Sequence, residues 1–281
     1  METPLGKGDR RPEGWRVLID AIETATSADH LPGFLSEGIR ACISNAESLA
    51  TDLSVLVNNR RIAAAQFVYA TCMEEMGKAL ILLDIVRADL RQDARLKLLC
   101  KAFYNHLKKY GYAKTIYSPG RGRLEDALYL YTRELVEYWP NTDPEDGEPD
   151  MPADGIAHRE WAIYVDWVES DGGWFCPPHS SLASLLCGQG LAGTTPAERM
   201  VKSVLDPLLR ADREGMFCPE PLKIIQTEFP PVYISSGSDE EVKKLLERLR
   251  ERFSTAQISV SDDTLSSNFM RCPLYAAIFE L

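Results

Sequence analysis

The sequence predicts a mainly α fold, an antiparallel helical bundle with additional helices and a small C-terminal α+β appendage. Three observations carry that reading. Apolar residues recur at helical spacing from residue 39 to residue 138. The joints between these stripes are short and rich in turn residues. Beyond Met216 the pattern changes to strand, helix, strand. The chain of 281 residues is 45% hydrophobic and 26% charged, the profile of a globular protein able to bury its own core.

In order along the chain, residues 1–14 read as a flexible polar tail and 15–215 as the helical domain. The first stripe is Ile39, Cys42, Ile43, Ala46, Leu49, Leu53, Leu56 and Val57, one face of a long helix. From Arg61 to Asp84 nearly every residue is apolar, so this helix is expected to be covered on most sides. A third stripe, Leu96, Leu99, Phe103, Leu107 and Tyr110, meets Gly111 as a helix stop. Tyr117-Ser118-Pro119-Gly120 is a turn, and a fourth stripe runs from Leu124 to Tyr138. The 16 residues 140–155 hold 4 prolines, 2 glycines and 6 acids, an acidic loop that cannot pack a core.

After the loop, His158 to Val168 resumes an apolar helical or extended pattern, and Gly172 to Pro178 reads as an aromatic loop. Pro196 to Ala211 is a helix with Thr195 as its N-cap and proline at its first position. In the appendage, residues 216–281, Val232-Tyr233-Ile234 and Ile258-Ser259-Val260 are β-like. Between them Ser238 to Phe253 is an amphipathic helix, with Ser238 and Glu241 as a capping box.

Composition excludes several classes. No apolar run after the N-terminal basic residues resembles a secretory signal. The longest apolar stretch, Ile62 to Leu83, carries Glu74, Glu75 and Lys78. One such charge at a bilayer centre costs about 2.5–3.5 kcal/mol, so no membrane span or membrane partner is expected. The 7 cysteines form no CxxC pair, and Cys42, Cys72 and Cys100 fall within apolar helical patterns. Free thiols there act as small hydrophobes and fit a reducing cytoplasm. Cys176, His179, Cys187 and Cys218 are spaced too irregularly to favour a zinc site. Gly188 to Gly193 fits GxGxxG but follows no strand, which argues against a nucleotide site.

Charge is segregated. The formal net charge is -11, yet 91–123 holds 9 basic residues against the single acid Asp93, while 134–171 holds 12 acids against Arg159. The basic stretch is either a solvated helix face or a surface for phosphates.

Two local features carry chemistry. In Met73-Glu74-Glu75-Met76-Gly77-Lys78, three charges interrupt an apolar helix, and Lys78 is placed to meet Glu74 or Glu75 one turn away. Buried charges must be paired or used, so this is a structural ion pair or part of a site. Gly77 costs roughly 1 kcal/mol relative to alanine within a helix, which points to another chain segment passing close by. The second feature is Lys101 to Lys109, in which His106 borders the apolar stripe beside Asn105, Lys108 and Lys109. Histidine there is a candidate acid or base near neutral pH, or a hydrogen-bonded residue at the core edge.

Together these segments resemble the AbiV-type abortive-infection proteins of the HEPN superfamily. The resemblance lies in Ala46 to Asp52, in Ala63 to Lys78 with its Glu-Glu-Met-Gly-Lys ending, and in Phe103 to Lys109. Arg159 to Asp166, with Gly173, Trp174 and Pro177, resembles the later part of that family. The likeness covers about residues 35–210 and leaves the C-terminal segment unmatched. It implies a helical bundle that pairs as a homodimer and acts in bacterial defence against phage. A phage-encoded activator or a neutralising protein is a further implied partner.

Many HEPN proteins are ribonucleases that need no metal or other cofactor. In these a histidine handles the 2′-hydroxyl or leaving-oxygen proton, and a nearby cation stabilises the phosphorane. Carried onto this chain, the resemblance implies His106 as acid/base and Lys101 or Lys109 as the phosphate-side cation. Glu74, Glu75 and Lys78 would orient the histidine, and Arg95, Asn105, Lys108 and Lys109 would contact RNA. The nuclease pattern has arginine followed by a polar residue, four to six positions before the histidine. Here Lys101 and Ala102 stand at the arginine and polar positions. On one straight helix Lys101 and His106 would point about 140° apart. The alternative function is a non-catalytic defence protein that binds a phage or translation component, with the Glu/Lys/His group structural.

Overall fold

The computed structural model describes residues 14–87, 93–117, 166–168, 173–175, 186, 194–228 and 239–269. Over these residues it is a mainly α bundle. Its elements are α1 (Gly14–Ser27), α2 (Leu31–Asn58), α3 (Ile62–Arg87), α4 (Asp93–Tyr104), α5 (His106–Tyr117), β1 (Asp166–Val168), β2 (Gly173–Phe175), α6 (Pro196–Arg213), α7 (Pro219–Glu228), α8 (Asp239–Thr255) and α9 (Asp262–Phe269).

Helix α3 is the axis of the fold, as its nearly unbroken apolar sequence requires. It packs on α2, α4, α5, α6 and α7. Tyr69, Met73, Met76, Ile81, Leu83 and Ile85 are all buried on it, so core residues emerge on every side. Helix α2 supplies the facing stripe of Leu35, Ile39, Ile43, Ala46 and Leu53. Burying a leucine or isoleucine of this kind contributes ~1.5–3 kcal/mol, so this seam is the main source of stability. Helix α1 lies on α4, and α6 lies on α2.

The joints follow from local hydrogen bonding. Helix α2 ends with Arg60 in the left-handed region at φ 55, and the Arg61 N–H returns to the Leu56 carbonyl at 2.9 Å. This two-bond cap satisfies carbonyls that would otherwise be orphaned, and it turns the chain into α3 within three residues. Helices α1, α6 and α8 end in the same way at Asp29, Gly215 and Gln257. Glycine fills that position only at Gly215. Thr195 caps α6 as the sequence predicts, with the Glu198 side chain completing a capping box and Pro196 opening the helix.

Three sequence expectations are corrected. The stripe from Leu96 to Tyr110 is two helices, broken at Asn105, and Gly111 lies inside α5 instead of ending it. The Asn105 side chain accepts the Lys108 N–H at 2.9 Å, which starts α5 with a new N-cap. The aromatic segment at Gly173–Phe175 is a strand paired antiparallel with Asp166–Val168. Ile258-Ser259-Val260 is not a strand but an irregular link from α8 to α9. The described part of the C-terminal segment is therefore helical. Val232-Tyr233-Ile234, the stripe 124–138, the acidic loop 140–155, the GxGxxG string and the Ser238 cap lie outside the described residues. So do Cys176, His179 and Cys187.

Candidate active site

The site is built where α5 crosses α3. A Cβ on Gly77 would overlap the carbonyl of Lys109, so glycine is what allows α5 to lie directly on α3. This is the close approach that the glycine implies in the sequence. One turn before Gly77 on α3 stands Glu74, and three residues before Lys109 on α5 stands His106. The crossing therefore brings the two together.

Glu74 is only 6% exposed, and its Oε2 is the hub of the cluster. It lies 2.7 Å from Nδ1 of His106 and 3.1 Å from Nζ of Lys109. A carboxylate only accepts hydrogen bonds, so the short contact places the Nδ1 proton on the histidine and makes Nε2 the basic nitrogen. The histidine side chain is 43% exposed, whereas that of Lys109 is 5% exposed. One member of the cluster thus meets solvent while the others are enclosed. Burial pushes the Lys109 ammonium below its ordinary value, and the charge and hydrogen bond of Glu74 oppose that shift.

Glu75 and Lys78 make a separate pair at 2.5 Å, one turn apart on α3. The Lys78 ammonium also sits 5.8 Å from the centre of the Phe103 ring, on α4. Of the two carboxylates available to it, Lys78 takes Glu75, and Glu74 is left for α5. Both groups act on Cys42 of α2: burial is the largest cause that raises its thiol, the Glu75 charge adds to it, and Lys78 and Lys109 oppose it; in α3 itself burial and then Glu75 raise Cys72. Cys42 is pushed up to about 11 and Cys72 to about 12, while burial takes Cys100 to about 12. None of the three is a thiolate near neutral pH, which fits their packing role.

The other sequence candidates divide. Asn105 spends its side-chain oxygen on the α5 cap, a structural duty. The break it makes also removes the straight-helix separation of Lys101 from His106. Lys101 is exposed and directs its ammonium to the Trp15 ring of α1, 5.0 Å from the centroid. Lys108 is half-buried; burial, and then the charge of Lys101, holds its ammonium below the ordinary value. Arg95 lies within α4, and its side chain lies outside the described residues. Lys109 is enclosed against Glu74 instead of facing solvent.

Sequence reading missed the Glu74–Lys109 contact, the Asn105 cap, the gathering of cations on Trp15 and a buried Asp84–Arg87 pair near the end of α3. A lone asparagine inside an apolar helical stripe was the available signal for the cap. Among the described residues, no group of three or more His, Cys, Asp or Glu side chains is placed to hold a metal ion. No helix among them is long and apolar enough to cross a membrane.

Comparison with known proteins identifies the family of the chain. The family model HEPN_AbiV, described as AbiV, matches residues 34–184. The match takes in most of α2 and all of α3 to α5, and with them both sides of the Glu74–His106 crossing. No curated protein and no solved structure matches the chain.

Proposed function

Since the chain belongs to the AbiV-type family of abortive-infection HEPN proteins, we propose that it is a metal-independent endoribonuclease acting in phage defence, with His106 as its acid/base. The observation that carries this reading is the contact of 2.7 Å between the half-exposed His106 ring and the buried Glu74 carboxylate. A carboxylate behind one imidazole nitrogen fixes the tautomer and ring direction, and the opposite nitrogen becomes the one that exchanges protons. Lys109 fits an orienting role: it keeps the Glu74 charge compensated where water cannot.

In the proposed reaction Nε2 of His106 takes the proton of a ribose 2′-hydroxyl as O2′ attacks the adjacent phosphorus. The bond from phosphorus to the 5′ oxygen breaks, and that oxygen takes a proton from a solvent water molecule. Products are a 2′,3′-cyclic phosphate and a 5′-hydroxyl. In the alternative assignment protonated His106 gives its Nε2 proton to the leaving oxygen, and a water molecule takes the proton of the 2′-hydroxyl. Lys101 and Lys108 are the cations we assign to the phosphate, because Lys109 is enclosed. Their charge opposes the negative charge that grows on the phosphorane oxygens. A homodimer in the bacterial cytoplasm is the working form in this proposal.

The test is incubation of total cellular RNA with purified protein and with His106→Ala, in EDTA, with analysis of product ends. Cleavage by the unaltered protein only, leaving cyclic phosphate ends, is the expected result. Equal cleavage by His106→Ala removes the histidine from the chemistry. Intact RNA with both proteins favours the reading in which the cluster is structural and the protein acts by binding.

A further inference from the structure

The face formed by α1 and α4 carries an aromatic and cationic cluster that the cleavage chemistry does not use in full. Trp15 is half-buried at the start of α1. Three cations converge on its ring: Arg16 and Lys101 at 5.0 Å from the centroid, and Lys97 at 5.5 Å. All three are exposed, and among the described residues no carboxylate forms an ion pair with Lys97 or Lys101. Like charges brought this close repel one another, and a surface tryptophan answers only part of that repulsion. An indole gathers cations without neutralising them, so the charges of Lys97 and Lys101 stay available to an anion.

A second observation points to what kind of anion. Tyr104 ends α4 and is 48% exposed, an unusual exposure for a large aromatic here. Its ring is held in place on two sides. Gly14, the first residue of α1, packs so closely that a Cβ there would lie 2.7 Å from the ring. Phe103 meets it edge-on with centroids 5.3 Å apart. A rigid, exposed aromatic face beside gathered cations is the pairing that single-stranded nucleic acid requires, base on ring and phosphate on cation. An acidic polypeptide would use the cations but not the ring. Tyr104 also stands two residues before His106, so the platform leads to the candidate acid/base. From Lys97 to Tyr104 the helix advances about 10 Å at ~1.5 Å per residue, room for a short stretch of strand.

We propose that Trp15, Arg16, Lys97, Lys101 and Tyr104 form a platform for single-stranded RNA, with phosphates on the cations around Trp15 and a base stacked on Tyr104. This inference rests on the ribonuclease reading and names how that site holds its substrate. Trp15 is then the organiser of the cations and not a contact for the base. Arg16 and Lys97 are strand-holding residues that take no part in proton transfer.

The experiment measures binding of a fluorescein-labelled 12-nucleotide oligouridine by anisotropy over a range of salt. It compares the full chain with Arg16→Gln/Lys97→Gln and, separately, Tyr104→Leu. These side chains are exposed, so the variants fold, and circular dichroism confirms it. Each phosphate contact on a single strand contributes roughly 0.7 to the salt slope, so loss of two cations should flatten the slope by about 1.4. We expect Kd to weaken at least about tenfold in the double variant at low salt. Tyr104→Leu should weaken Kd with the slope unchanged, because stacking releases no counterions. Unchanged Kd and slope in the double variant overturn the platform. Displacement of the oligouridine by polyglutamate of equal charge, as readily as by unlabelled oligouridine, also overturns it and identifies an acidic protein surface as the partner.

RNA cleavage by the same proteins separates the two readings. Cleavage by the unaltered chain with the same KM in the double variant removes the platform and keeps the nuclease. Salt-dependent binding through Arg16 and Lys97 without any cleavage keeps the platform and removes the nuclease. Absence of oligouridine binding by the unaltered chain removes both.

Discussion

Near its middle, α3 presents Glu74 to His106 and Lys109 of α5, whereas near its end Asp84 and Arg87 pair with each other one turn apart. Both are buried charges in the same apolar helix, yet they are different objects. The Asp84 and Arg87 side chains are 1% and 2% exposed, and the guanidinium also donates to the Leu83 carbonyl within the same helix. Neither side chain of that pair reaches solvent. The Glu74 group joins two helices and leaves its histidine 43% exposed. Burying a charge is therefore not what marks a site in this molecule. In the proposed function the mark is a buried charge that holds a reactive side chain at the surface, where it can exchange protons with a substrate.

The strongest way to break this comparison is to delete the exposed member. His106→Ala should lower RNA cleavage by about 10²–10⁴-fold, the usual worth of a positioned proton-transfer group. Its melting temperature should change little, because the ring is already partly in water. A variant that loses its fold but retains its rate per folded molecule would place His106 among the structural groups instead. Next in size comes the Asp84–Arg87 pair. Asp84→Asn leaves Arg87 as a buried charge with its ion-pair partner neutralised, and should cost about 3–5 kcal/mol in denaturant unfolding. Cleavage per folded molecule should stay at the level of the unaltered protein. A large fall in that rate would show that the two charge groups are coupled along α3.

Gly77→Ala sharpens the comparison from the backbone side. The added methyl meets the Lys109 carbonyl, which cannot swing aside as a flexible side chain can. Overpacking of this kind costs about 1–3 kcal/mol, and here the relief is movement of α5. Moving α5 carries His106 away from Glu74, so this variant should lose both stability and rate. An unchanged melting temperature and an unchanged rate would mean that the crossing is looser than the structure describes it.

How much of this was legible in the sequence depends on the range of the signal. Helices α2, α3 and α6 were readable because their stripes are long, and because Thr195, Pro196 and Glu198 mark a helix start unambiguously. Gly77 announced a close approach, though not the partner, since a glycine in an apolar helix records that space is needed but not by whom. The split into α4 and α5 was hidden. Leu96, Leu99, Phe103, Leu107 and Tyr110 keep helical spacing straight through the break at Asn105, and apolar periodicity cannot see a cap. The pairing within the site was hidden for another reason. Lys78 has two acids within one turn, and local spacing permits either. Only the arrival of Lys109 and His106 from α5 shows why Glu75 is the one it takes. Trp15 was invisible as a site because its three cations come from two helices joined only by tertiary packing.

The smallest expected effect concerns a third polar group, at the start of α6, which tests whether polar groups outside the candidate site affect stability alone. Burial would raise the Glu198 carboxyl, but hydrogen bonds from the Thr195 N–H, Ser54 Oγ and Thr195 Oγ1 outweigh it and hold the group below its ordinary value. Its folded pKa is thus below its unfolded one, so between the two values the unfolded chain binds the extra proton. The stabilisation is complete above the unfolded value, near 4.5, and is lost as pH falls through the folded value. Because Ser54 belongs to α2, protonation loosens both the α6 cap and the α6–α2 contact. Glu198→Gln should imitate that loss at neutral pH, costing ~1 kcal/mol as a lost cap does. It should also flatten the fall of the unfolding free energy between pH 5 and pH 3 by about the same amount, since the titrating group is gone. Cleavage measured at neutral pH should be unaffected. A fall in rate would mean that α6, through its contacts with α5, helps to hold His106 in place.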